Sequence, residues 1–349
     1  MGSYGFGLVG AGLIADFHAR AIGEIEGATV TAVADVDEAR GNAMAQKYDA
    51  TFHKDFRDLA GDPKVDIVNV CTPSGLHAEP ALAAIEAGKH VIVEKPLEVT
   101  LERCDSIIEK ADQAGVGVGV IFPSRFSDAS TVTRKAIDDG RLGRITLADA
   151  YVKWYRTQEY YDRGGWRGTW KLDGGGALMN QSIHAIDLLN WFAGPVETVQ
   201  AFTGTLSHER IEVEDTAVAV LRFASGALGV IEGTTSAYPG FLKKLEISGS
   251  QGSIIMEEGA LQAWAFEEAR PEDDDIRERF APKTSKGGAA DPADIGHEGH
   301  RRQIVDFIEA LEQKRAPLVD GPEGRKAVEI ILAIYESART GQPVALPLK

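Results

Sequence analysis

The sequence predicts an α/β protein in two parts, a doubly wound parallel sheet followed by an α+β domain with a large, mainly antiparallel open sheet. Three observations carry this expectation. The first third alternates short apolar runs with helical stretches, the later runs lengthen and alternate without intervening helices, and 349 residues suit two domains at ~100–200 residues each. In order, strands are expected at 4–9, 29–34, 67–70, 90–93 and 116–121, with helices at 14–25, 38–48, 78–87 and 101–114. Parallel strands buried on both faces read as short, nearly continuous apolar runs, and each needs a crossover helix to reach the next. Past Phe122, strands are expected at 145–155, 198–205, 215–223, 228–234 and 244–248. Their alternation marks a sheet with one covered face. Helices at 130–138, 177–192, 299–313 and 323–340 supply the cover. The pattern changes near Ile121–Pro123, which divides the chain into domains 1–121 and 122–349. The stretch 267–296, with its acidic run Glu272–Asp275, reads as a long surface loop.

Composition excludes several function classes. With 44% hydrophobic, 26% charged and 7% aromatic residues, the chain is an ordinary globular one. Fifty-three acidic against 37 basic residues leave a net charge of −16, so no nucleic-acid partner and no anionic membrane surface is expected. Cys71 and Cys104 have neither paired spacing nor the His companions of a zinc site, so no metal is expected and the compartment reads as reducing and cytoplasmic. The N-terminal residues show no export leader, and no run approaches the ~18–20 apolar residues of a membrane span.

Gly10-Ala11-Gly12-Leu13-Ile14-Ala15 has the form G-x-G-x-x-A directly after a strand and opening a helix. The first glycine permits a tight turn, the second lets backbone approach a pyrophosphate, and the small sixth residue lets helix and strand pack closely. The N–H groups of Leu13 and Ile14 then point toward the phosphates at the positive end of the helix. Asp35 ends the next strand about 20 residues on, where a carboxylate accepts the ribose hydroxyls and repels a 2′-phosphate. NAD is therefore expected in preference to NADP, with Arg40 close enough to temper that choice.

Glu94-Lys95-Pro96, the run from Gly174 to Asp187 (GGGALMNQSIHAID), Gly10-Ala11-Gly12 and the closing segments 315–324 and 335–341 together resemble the glucose-fructose oxidoreductase, inositol dehydrogenase and MocA family. The resemblance spans nearly the whole chain. It implies hydride transfer between a secondary hydroxyl of a sugar or cyclitol and a nicotinamide, with Lys95 and His184 as the catalytic pair. It further implies cofactor contacts from Thr72, Pro73, His77, Glu94, Lys95, Trp166 and Arg167, and an Arg125-Phe126 pair beside the nicotinamide. Many members carry an aspartate where this chain has Asn180.

The residues support the same chemistry directly. Lys95 sits at the C-terminal end of a strand, the edge that faces the ligand crevice in open α/β sheets, and a lysine held neutral there can take a hydroxyl proton. Asn180, His184, Asp187 and Trp191 recur at helical spacing and so share a face, with Asn180 and His184 expected at the substrate. An amide at 180 can bind a hydroxyl but cannot act as an ion. The segment 151–171 holds five basic residues against two acidic ones, interleaved with aromatics. Trp154, Tyr155, Tyr160, Tyr161, Trp166 and Trp170 can stack on a sugar face while Lys153, Arg156 and Arg163 meet a carboxylate or phosphate. Among these, Tyr155 and Arg163, with Lys95, Arg125, Asn180 and His184, form the expected substrate site. His300 reads as a solvated residue at a helix start.

The sequence thus predicts an NAD-dependent oxidoreductase acting on a secondary hydroxyl of a sugar, uronate or cyclitol. Two alternatives are a redox-neutral glycosidase that retains its NAD and a non-catalytic sensor of NAD or sugar. Retention of both Lys95 and His184 disfavours the sensor. The open sheet needs covering, which predicts a homodimer or homotetramer through the second domain.

Overall fold

A computed structural model describes residues 2–163, 165–282 and 296–348. The chain begins with β1 (Tyr4–Val9), α1 (Leu13–Gly23), β2 (Ala28–Ala34), α2 (Glu38–Lys47), β3 (Thr51–His53), α3 (Phe56–Ala60), β4 (Ile67–Val70), α4 (Ala78–Glu86), β5 (His90–Val93), α5 (Leu101–Ala114) and β6 (Val118–Val120). The six strands pair in parallel in the order β3-β2-β1-β4-β5-β6. This is the order of the Rossmann sheet, whose direction of winding reverses between β1 and β4 and opens a crevice at the strands' C-terminal ends. The short β3 and α3 are additions to the expected elements, being too brief to show a period.

Then follow α6 (Asp128–Asp138), β7 (Ile145–Lys153), α7 (Gln158–Asp162), a π-helical turn at Ala177–Ser182, α8 (Ile183–Ala193), β8 (Val196–Gly204), β9 (Thr216–Phe223) and β10 (Leu228–Thr234). The chain continues through β11 (Lys244–Gly249), β12 (Gly252–Glu257), β13 (Ala260–Phe266), α9 (Asp273–Arg279), α10 (Glu298–Gln313), α11 (Gly321–Thr340) and β14 (Val344–Ala345). An eight-stranded sheet runs β13-β12-β11-β7-β10-β9-β8-β14, antiparallel except where β7 meets β10. In β9, Ala217, Ala219, Leu221 and Phe223 are buried while Val218, Val220 and Arg222 are exposed, the period of two expected of a sheet with one covered face.

Two expectations need correction. The loop read at 267–296 contains α9, and residues 283–295 of it lie outside the described residues. The acidic run is the start of that helix, where carboxylates complement the helix dipole. Asp273 turns inward, accepting bonds from Arg141 Nη1 at 2.6 Å and Nη2 at 2.8 Å and from Trp264 Nε1 at 2.7 Å. The second correction concerns domain limits. The chain forms two units, one of Met1–Pro123, Lys171–Gly174 and Gly296–Val328, the other of Ser124–Trp170, Gly175–Ile295 and Glu329–Lys349. The simple division at 121/122 misses the return of 296–328, whose α10 places Ile304, Phe307 and Ile308 in one apolar cluster with Phe6, Leu8, Ile22 and Ile92. A helix with that apolar face has to bury it, and the Rossmann layer is where it does so. Among the described residues, no helix is long and apolar enough to cross a membrane.

Candidate active site

The candidate residues fall in both units. In the first, Gly10 has φ +94°, and a Cβ there would lie 2.8 Å from the Cys71 carbonyl oxygen, so the turn needs glycine. Around Gly12 the space is open, and as N-cap of α1 it offers no side-chain bond to the helix amides. Those uncapped N–H groups at the start of α1 are what a dinucleotide pyrophosphate requires. Asp35 accepts bonds from Ala11 N at 2.7 Å, Asp37 N at 2.8 Å, and Arg40 Nε at 3.1 Å and Nη2 at 2.8 Å. Burial would raise this carboxyl, but Arg40 and the two amides outweigh it and hold it below the ordinary value. The residues present therefore fit NAD.

The turns after β4 and β5 are tied together. His77 is almost wholly buried, its Nδ1 2.8 Å from the Pro96 carbonyl and its Nε2 2.9 Å from the Thr72 carbonyl. Both ring nitrogens are committed to backbone, so His77 braces the turns carrying Thr72, Pro73 and Lys95. Lys95 is partly exposed just beyond β5, and its backbone N–H donates to Glu94 Oε2 at 3.1 Å. Glu94 itself is buried, its Oε1 2.8 Å from His18 Nε2 and 3.6 Å from His300 Nε2. Asn69 Nδ2 sits 2.8 Å from His18 Nδ1, so His18 accepts there and donates its Nε2–H to Glu94. Burial pushes the Glu94 carboxyl up, yet the bonds from His18 and His300 leave it well below the ordinary value. One ring nitrogen each of His18 and His300 and one carboxylate oxygen of Glu94 lie within 4.8 Å of one another. His300, read from sequence as solvated, is buried against His18 with ring centroids 5.3 Å apart. The correction arises because α10 returns to this unit.

In the second unit, the stretch expected as one helix over 177–192 begins as a π-helical turn, a rare geometry that is frequent at functional positions. From Gly175 to Leu189 every residue is buried except Asn180 and His184, which are partly exposed. That selective exposure puts the two expected substrate ligands on one accessible stripe. Asp187 belongs elsewhere: with Arg125 it forms a buried two-pronged pair, Nε to Oδ2 at 2.9 Å and Nη2 to Oδ1 at 2.6 Å, and the guanidinium lies 5.3 Å from the Trp191 ring centre. Arg125, expected at the substrate, is 1% exposed and braces α8.

The basic and aromatic segment is also rearranged. Arg163 is exposed and pairs with Glu159 one helical turn back, and Lys153 pairs with Glu232 at 2.9 Å. Tyr155 packs edge-on against Tyr238, centroids 5.3 Å apart. Two other arginines converge on Tyr160, with guanidinium carbons of Arg156 and Arg167 at 5.5 and 4.5 Å from its ring centre. Arg167 also lies 5.1 Å from the Trp166 ring. The Tyr160 hydroxyl accepts from Gln181 Nε2 at 3.1 Å, which links this cluster to the π-turn beside Asn180. Sequence reasoning named Arg156 and Arg167 but not Tyr160 as their meeting point, since the clustering depends on the chain folding back. It missed His18, Asn69 and Glu214 entirely.

Residues 4–122 match the model of an oxidoreductase family with an NAD-binding Rossmann fold, and residues 131–255 match the GFO/IDH/MocA C-terminal domain. The chain belongs to the GFO/IDH/MocA oxidoreductase family. Similar curated proteins include the myo-inositol 2-dehydrogenase of Thermotoga maritima, 29% identical and covering 97% of this chain and 98% of that one. The 1,5-anhydro-D-fructose reductase of Ensifer adhaerens is 31% identical, covering 97% of each. Among solved structures, the WlbA dehydrogenase of Bordetella pertussis in complex with NADH and UDP-GlcNAcA has TM-score 0.92 and 36% identity, covering 100% of this chain and 99% of that one. This GFO/IDH/MocA protein is an NAD-dependent oxidoreductase that transfers hydride to or from the nicotinamide.

Proposed function

We propose that the substrate is a nucleotide-linked, N-acetylated hexuronate of the UDP-GlcNAcA type. The observation that carries this reading is Arg167, partly exposed over the Tyr160 ring, whose hydroxyl is hydrogen-bonded through Gln181 to the π-turn that exposes Asn180 and His184, while the neighbouring Arg156 is buried and donates to the Tyr155 carbonyl. An inositol or a neutral anhydrosugar has no anion for the Arg167 guanidinium to meet, whereas a uronate carboxylate or a diphosphate does. The similarity to a WlbA dehydrogenase bound to UDP-GlcNAcA supports the same choice.

Bound NAD supplies the hydride acceptor. Lys95 Nζ takes the proton of the substrate hydroxyl as the carbinol C–H bond breaks and the carbonyl forms, and returns it when the reaction runs backward. His184 hydrogen-bonds the reacting oxygen, and the Asn180 amide fixes a neighbouring hydroxyl, a role it fills without charge. Gly12, Leu13 and Ile14 amides would hold the pyrophosphate and Asp35 the adenosine ribose. Thr72, Pro73 and Trp166 would complete the cofactor contacts, Arg167 being given to the substrate's anion instead, while His77 and Glu94 act through the turns they brace.

The reading extends to assembly and compartment. Phe202, Val218, Val220, Leu228 and Leu147 are exposed and lie on one face, since Phe202 pairs with Val218, Leu228 pairs with Leu147 and with Arg222, and Val218, Val220 and Arg222 alternate along β9. A second copy of this chain covers that face, as a homodimer or within a homotetramer. Cys71 and Cys104 are free and buried, which supports the cytoplasm.

The test is reduced-nicotinamide absorbance with purified protein, NAD and, in parallel, UDP-GlcNAcA, UDP-GlcNAc, myo-inositol and levoglucosan. Turnover of UDP-GlcNAcA, lost in Lys95→Ala and weakened mainly in KM by Arg167→Ala, is expected. Turnover of myo-inositol or levoglucosan with none of UDP-GlcNAcA would overturn the substrate assignment.

A further inference from the structure

Glu214 lies in the loop before β9, far in sequence from any motif, yet three consecutive amides of the glycine-rich motif converge on it. Gly176 N donates to its Oε2 at 3.0 Å, Leu178 N to its Oε1 at 2.8 Å, and Ala177 N to its backbone carbonyl at 3.1 Å. Tyr335, from α11, donates its hydroxyl to the same Oε1 at 3.0 Å. A Cβ at Gly176 would sit 1.7 Å from the Glu214 carbonyl oxygen, so the approach is as close as backbone permits. The side chain is buried.

A buried carboxylate bonded to two amides and a phenol is a costly way to close a helix end, since serine or asparagine would cap it without charge. What the carboxylate adds is stiffness: charge-assisted bonds from two successive donor positions, held from a different element. That matters most in a π-helical turn. Its wide i→i+5 spacing is poorly self-supporting, and a slip of one residue would swing Asn180 by about 100° around the axis. Asn180 N bonds the Gly176 carbonyl at 3.0 Å, so the anchored end and the exposed amide side chain are one hydrogen bond apart.

We propose that Glu214, seconded by Tyr335, is a positioning residue for the reaction: its carboxylate fixes the register of the π-turn and so the placement of Asn180 and His184. The inference rests on the roles given to those two residues under Proposed function.

The experiment compares wild type, Glu214→Gln and Tyr335→Phe by amide hydrogen exchange resolved by peptide mass, and by kinetics with NAD and UDP-GlcNAcA. In Glu214→Gln the amides of 176–182 exchange about tenfold faster or more, the worth of one charge-assisted bond, while peptides of β1 and α1 keep their wild-type rates. The value of kcat falls at least as far with KM for NAD unchanged. Tyr335→Phe shows the same pattern in smaller measure and stands alone if Glu214→Gln fails to fold. Unchanged exchange at 176–182 in the folded variants, or loosening spread equally over all peptides, would overturn the proposal. If wild type turns over no sugar, the substrate reading falls, and the exchange data still decide this one.

Discussion

Asp35 does two things at once, bonding the Ala11 amide of the glycine-rich turn and pairing with Arg40. Asp35→Ser should therefore weaken NAD by about 10–100-fold, the range for lost hydrogen bonds to a charged group, and release a guanidinium that suits a 2′-phosphate. Calorimetric titration should find the NADP:NAD preference raised, and an unchanged NAD affinity would count against the assigned ribose contact. Glu214 offers a pH test of a different kind. Burial pushes its carboxyl from 4.5 up to about 7, against the bonds from Leu178, Gly176 and Tyr335. A folded value above the unfolded one stabilises the protein below pH ~4.5 and loses that contribution as pH rises through about 7, roughly 3 kcal/mol in all. Glu214→Gln lacks this slope, so its stability relative to wild type should improve by up to that amount between pH 5 and 8. Denaturant melts at the two pH values giving a constant difference would contradict a buried, weakly acidic Glu214.

The π-turn and α8 show how an element can be half legible. Apolar spacing located the helix, but a π-turn carries an extra residue that a 3.6-residue period cannot register. Asn180 and His184 were placed on one stripe, and they alone between Gly175 and Leu189 are partly exposed. Asp187 and Trp191, given the same face by spacing, instead enclose Arg125. The difference was hidden because a buried ion pair depends on a partner 62 residues away. His77 was illegible for another reason: its partners are backbone carbonyls of Thr72 and Pro96, which carry no sequence signal. Two element-level outcomes follow. Asp187→Asn leaves Arg125 buried without its counter-charge and should lower stability by about 3–5 kcal/mol, seen as a reduced denaturant midpoint. Gly176→Ala forces its methyl against the Glu214 carbonyl and should cost about 1–3 kcal/mol together with most of kcat, while NAD titration stays near wild type. Retained kcat in Gly176→Ala would show that the π-turn tolerates displacement.

For the molecule as a whole, the open sheet face gives the clearest outcome. Val220 lies between Gln200 and Val230 on neighbouring strands, with its side chain outward. Val220→Asp should shift the mass measured by light scattering from a dimer or tetramer to a 37.5 kDa monomer, with secondary structure unchanged. A wild-type protein already at that mass would remove the assembly from the account. The parallel and antiparallel sheets were both legible in the sequence, because residue period and connection length differ so plainly between them. The itinerary of the chain was not. Nothing local announces that Ile304, Phe307 and Ile308 pack with Phe6 and Ile92, since the pairing joins opposite ends of the polypeptide. This return has a consequence for synthesis. While the ribosome is still making the second unit, the nascent Rossmann layer stands without α10, its apolar patch uncovered and Glu94 lacking His300. At ~5–20 residues per second, that interval lasts on the order of ten seconds or more, during which the uncovered patch is open to misassociation. A fragment ending after β6 would keep that patch uncovered permanently, so a nucleotide-binding unit cut from this chain needs residues 296–328 to close its core.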